Sequence, residues 1–199
     1  NRKLILWTHG ILNIEKASCI KVQFYKLFDH IFLYSKWSKR NMKFLGISDN
    51  DMTVIGNSLK QKNSYTIDTS LEINTFKYDL LFIGRINENK CLDMLFKSVE
   101  YIKRNNSRIL RVLIIGDGPH KTHLEDLCSE LKISSQIKWA GSIYDDDQKS
   151  RLIKNCRVCV SPGNVGLTAI EVLGFGVPVI THNNENHQMP EFESILNNK

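Results

Sequence analysis

The chain has 199 residues, 42% of them hydrophobic and 24% charged, which is enough to bury one complete core and part of a second. Its net charge of +6 is uneven: residues 1–62 hold eleven of the 27 Lys and Arg against only Glu15, Asp29, Asp49 and Asp51, and the rest is nearly balanced. No apolar run approaches the ~20 residues of a membrane span, and the five cysteines form no regular framework, which argues against a membrane-spanning chain and against a disulfide scaffold.

Apolar runs alternate with helix-like stretches from end to end. Strands are expected at 4–8, 30–34, 53–55, 79–83, 111–115, 136–139, 159–161 and 177–180. Helices are expected near 14–28, 36–45, 91–104, 120–131, 146–155 and 167–174, several of them acidic at the start and basic at the end. Continuous apolar strands such as Leu80-Leu81-Phe82-Ile83 imply parallel strands covered on both faces, so the fold class is α/β with two doubly wound, Rossmann-like units. The polar stretch 56–77 is the best boundary, with the break near residue 70. Residues 1–70 would then be the closing part of one unit plus a linker, and residues 71–199 a nearly whole second unit. Asn1 without a Met reads as a start inside a longer protein.

The richest segment is 160–180, a strand, a glycine-containing turn, a helix bearing one carboxylate, and a second short strand. Gly163 and Gly166 let the backbone turn and approach a ligand, and the helix that follows offers unpaired N–H groups to a phosphate. Glu171, about one turn inside, suits the hydroxyls of a ribose. Earlier, the strand at 79–83 ends in Gly84-Arg85, with Lys90 at the next helix. Two cations beyond one strand end can neutralise a pyrophosphate, the Arg as a planar fork and the Lys as a point charge, or can simply be solvated.

Other motifs carry less. Gly116-Asp117-Gly118-Pro119 fails the dinucleotide fingerprint, since Lys121 stands where a third glycine is needed, and reads as a structural turn. His9, at the end of the first strand, is either a satisfied structural residue or a donor to a sugar or phosphate. His120 and His123 read as surface residues, Asp145-Asp146-Asp147 as a helix cap, and Cys156-Arg157-Val158-Cys159 as buried thiols. No metal site is expected.

The series strand-Gly84-Arg85-x4-Lys90, Gly116-x-Gly118-Pro119, Ile137-Lys138-Trp139-Ala140-Gly141, Pro162-Gly163-Asn164-Val165-Gly166-Leu167-x3-Glu171 and Gly176-Val177-Pro178-Val179-Ile180 resembles the family-4 retaining glycosyltransferases of GT-B fold. The resemblance covers essentially the whole chain and is strongest from Tyr78 to Glu191. It implies a protein truncated at both ends that moves a sugar, with retention, from a nucleoside diphosphate sugar to a saccharide or lipid-linked acceptor. Arg85 and Lys90 match its pyrophosphate pair, and Glu171 matches the ribose-binding second Glu of its E-x7-E motif. Gly166 and Leu167 match backbone donors to phosphate and sugar, and Ser142 and Ile143 fall near the base. Gly84, Asn164 and Thr168 complete the implied donor set, and His9 falls near the transferred sugar. Pro190-Glu191 matches a recurring segment past the last strand.

The chain departs from that pattern at Gly163, where the first Glu of the motif would stand. A degenerate nucleotide-sugar-binding subunit without turnover is therefore the alternative reading. The resemblance implies no cofactor beyond the nucleotide-sugar substrate and no required metal. The odd cysteine count implies a reducing, cytoplasmic setting. The basic first part suits peripheral contact with the inner face of a membrane and equally a solvated surface; no nucleic-acid signature accompanies it.

Overall fold

A computed structural model describes residues 2–59 and 76–195. The chain forms two compact units, Asn1–Leu59 with Asn183–Lys199, and Lys60–His182. The expected break near residue 70 lies outside the described residues. The segment after residue 182, expected with the second unit, groups instead with the first.

In the first unit β1 (Ile5–Thr8), β2 (His30–Leu33) and β3 (Met52–Val54) form a parallel sheet in that order, with α1 (Cys19–Tyr25) and α2 (Lys36–Phe44) between them. Ile31, Leu33, Met42 and Met52 are fully or almost fully buried in its core. The helix expected from residue 14 starts later, because Ala17 and Ser18 are extended and the Ser18 hydroxyl accepts from Lys21 N to cap α1. Ser35 caps α2 in the same way. The Glu193 carboxylate adds two bonds there, accepting from Lys36 N at 2.9 Å and from Trp37 N at 2.6 Å. Those N–H groups are the orphan donors of a helix start, which explains how the segment after residue 182 is fastened to this unit. Arg40 pairs with Glu185, and Asn57 donates to the buried Glu191, in the same unit.

The second unit runs β4 (Tyr78–Ile83), α3 (Leu92–Asn106), β5 (Val112–Ile115), α4 (Lys121–Glu130), β6 (Ile137–Gly141), α5 (Asp146–Lys154), β7 (Cys156–Ser161), α6 (Thr168–Gly174) and β8 (Val179–Thr181). Its five strands are all parallel, in the order β6-β5-β4-β7-β8. Alternate side chains of the central strands go to opposite faces. Phe82, Val112 and Ile114 meet α3 and α4 through Leu95, Phe96 and Leu124. Leu81, Leu113 and Ile115 meet α5 and α6 through Ile153 and Val172. Burial on both faces is why these strands are continuously apolar. Every expected strand is present, and β7 begins three residues earlier than expected, at Cys156.

Candidate functional site

The strand order reverses between β4 and β7, which are neighbours though not consecutive. From β4 the chain passes to α3 on one face; from β7 it passes to α6 on the other. Connections that diverge in this way leave a crevice at the carboxyl ends of the two strands, the usual ligand position in open α/β sheets. Arg85 and Lys90 follow β4, and Asn164, Gly166, Leu167, Thr168 and Glu171 follow β7, so the fold gathers both groups at this crevice.

Beside that crevice, at the carboxyl ends of β4, β5 and β6, opens a cleft of about 370 Å³ lined by Gly84, Arg85, Ser142, Ile143, Tyr144 and Lys149, among others. Arg85 is exposed and pairs with no carboxylate among the described residues. Lys90 is held differently. Its ammonium donates to the backbone carbonyl and to the side-chain oxygen of Asn164, each at 2.6 Å. Burial lowers its pKa from the ordinary lysine value of 10.5.

Gly163 explains this arrangement. Its N–H donates to Lys90 O at 3.1 Å, and a Cβ added there would lie 2.0 Å from Asn89 O and 2.8 Å from Lys90 Cα. The space a side chain at 163 would occupy is thus filled by the backbone of the Lys90 turn. The Thr181 hydroxyl fastens the same loop, donating to Ser161 O at 2.8 Å and Gly163 O at 3.3 Å. Glycine is also required in the neighbouring turn, where a Cβ at Gly116 or Gly118 would strike Gly84 O at 1.9 Å or Ile86 O at 2.1 Å. That supports the structural reading of Gly116-x-Gly118.

The first turn of α6 is tied to the end of β4 by the Thr168 hydroxyl, which donates to Ile83 O at 3.2 Å. Gly166 turns the chain into it with φ +56°, and Leu167 is exposed at its entry. Glu171 is mostly buried, and its Oε1 lies 2.5 Å from Lys149 Nζ. Sequence reasoning missed Lys149. The available signal was its position four residues before Ile153, which places it on the inward stripe of α5.

Asp145 caps α5, accepting from Gln148 N at 2.6 Å. The rings of His120 and His123 lie 4.6 Å apart, and no group of three or more metal-ligating side chains occurs among the described residues. Burial pushes the Cys156 and Cys159 thiols up to about 12. His9 lies in the first unit, just after β1, with its ring 4.9 Å from that of Tyr34 and its carbonyl accepting from the Ser38 hydroxyl at 2.7 Å. No helix among the described residues is long and apolar enough to cross a membrane.

Residues 64–189 match the family described as Glycosyl transferases group 1. An uncharacterized glycosyltransferase of Methanocaldococcus jannaschii is 30% identical over 105 residues, 51% of this chain and 26% of that protein. An alpha-monoglucosyldiacylglycerol synthase of Streptococcus pneumoniae is 25% identical over 129 residues, 63% of this chain and 29% of that protein. The chain therefore spans less than a third of these curated relatives. The crystal structure of Anabaena HepE in complex with UDP superposes with a TM-score of 0.73 at 15% identity, covering 98% of this chain and 56% of that one. That likeness is one of fold, Rossmann-like α/β of GT-B type.

Proposed function

The chain belongs to the glycosyl transferases group 1 family, and we propose that it supplies the donor-binding part of a retaining, family-4-type enzyme that moves a hexosyl unit from a nucleoside diphosphate sugar to a saccharide or lipid-linked acceptor. One observation carries the reading: two cations follow β4 and a polar loop with a carboxylate follows β7, at the reversal point of a parallel sheet. Arg85 would take the pyrophosphate by its fork, and Lys90, already placed by Asn164, would add a fixed positive charge. As the sugar leaves, charge grows on that diphosphate, and cations set in place beforehand stabilise it without reorganising. No metal is assigned to this task. Glu171 would accept from ribose hydroxyls, with Ser142 and Ile143 beside the base.

The complex of HepE with UDP supports a uridine donor, and the name of the pneumococcal relative supports a lipid acceptor met at a membrane surface. A second reading, a subunit that binds nucleotide sugar without turnover, is favoured by Gly163 alone. A thermal-shift panel of nucleoside diphosphate sugars, followed by assays of donor hydrolysis and transfer with the longest natural form of the protein, tests both. Stabilisation by a nucleotide sugar with transfer supports the enzyme, stabilisation without hydrolysis or transfer supports the binding subunit, and no stabilisation by any donor overturns both.

A further inference from the structure

The Lys149–Glu171 pair joins α5 to α6. Lys149 lines the cleft with Arg85, and the side chains of Lys149 and Glu171 are only 22% and 20% exposed. A carboxylate held against the edge of a cleft that must accept a diphosphate is an electrostatic conflict, because it repels the anion whose ribose it would bind. We propose that Lys149, acting through Glu171, resolves this conflict: its ammonium, held against Oε1, neutralises the carboxylate beside the diphosphate. This rests on the donor-site reading above and goes beyond it, since it makes diphosphate affinity depend on a cation that need not touch phosphate.

The pairing has a direct consequence. With Lys149 removed, Glu171 becomes an uncompensated, mostly buried anion facing a diphosphate. The damage is then done by Glu171, and removing its charge should repair it. A lysine that acted through its own packing alone would behave differently, because removing the Glu171 charge would then recover nothing.

The test is a double-mutant cycle on the full chain, with UDP and uridine as probes, read by calorimetry alongside circular dichroism. Lys149→Met should weaken UDP binding about tenfold and uridine binding far less, Lys149→Arg should restore most of the loss, and Glu171→Gln in the Lys149→Met background should recover about threefold or more. Losses that simply add across the cycle, or equal losses for UDP and uridine, would overturn the proposal while leaving the donor site standing, provided Arg85→Ala still weakens UDP. Failure of the unaltered chain to bind UDP or any other nucleoside diphosphate would overturn both. Should Lys149→Met lose its circular dichroism signal, the comparison of Lys149→Arg with Lys149→Gln decides: equal UDP affinity in the two counts against the proposal.

Discussion

Lys90 and Asn164 are joined twice, the ammonium donating to both the main-chain and the side-chain oxygen of the asparagine. The loop after β7 therefore sets the cation that follows β4, and neither connection has its observed form alone. Arg85, by contrast, is exposed and unpaired among the described residues. Lys90→Ala and Arg85→Ala should each weaken nucleoside diphosphate binding by about 1.5–3 kcal/mol, the scale of a charge-assisted hydrogen bond. Calorimetry checks this, and only Lys90→Ala should also lower thermal stability, because only Lys90 is built into the fold.

Burial lowers the Lys90 pKa below 10.5, so its charge is lost at a lower pH than that of an ordinary lysine. The sign follows from linkage: the buried charged form is disfavoured, so the cost is fully present below the folded pKa and is relieved as pH rises from there toward the unfolded value. Fold stability should thus gain from alkalinisation at this residue while diphosphate affinity falls. Titrating UDP affinity against pH in the unaltered chain and in Lys90→Arg checks it; the arginine variant should keep its affinity through the window in which the lysine loses it.

Gly163→Glu would complete the E-x7-E pattern that the sequence resembles and should nevertheless impair binding. The new Cβ falls 2.0 Å from Asn89 O, so the Lys90 turn must move. A loss of about 1–3 kcal/mol in stability, the usual scale of overpacking, is expected in chemical denaturation, with weaker UDP binding.

Glu193→Ala removes both bonds to the start of α2 and should cost about 0.5–2 kcal/mol of stability. UDP affinity should be unchanged, since Glu193 belongs to the other compact unit. Denaturation curves and calorimetry on the same preparation check the pair of outcomes.

Burial raises the thiols of Cys128, Cys156 and Cys159 to about 12, whereas Cys19 is exposed and Cys91 half-buried. At pH 8 an aromatic disulfide reagent should modify Cys19 first and Cys91 more slowly. The three buried thiols should react only on unfolding, because the thiolate is the nucleophile. Mass spectrometry of the labelled peptides gives the order.

The strands were legible because both faces of the second sheet are covered, which forces runs such as Val112–Ile115 to be apolar throughout. That Arg85 and Lys90 follow β4 and Glu171 follows β7 was legible because position relative to a strand end is a local property. Lys149 was not, because its partner lies on another helix and is chosen by packing. The grouping of the last segment escaped for a similar reason: Glu193 meets a helix start 157 positions earlier, and no pattern near Glu193 announces it. Gly163 is an intermediate case, since the missing carboxylate was visible and the backbone that replaces it was not.

The link between Glu193 and α2 also orders events during synthesis. Lys36 leaves the ribosome 157 residues before the carboxylate that caps its helix. At about 5–20 residues per second that interval is roughly 8–30 seconds, during which the second unit is made in full and can fold. A nascent chain stopped at residue 182 would therefore carry α2 still lacking the Glu193 cap.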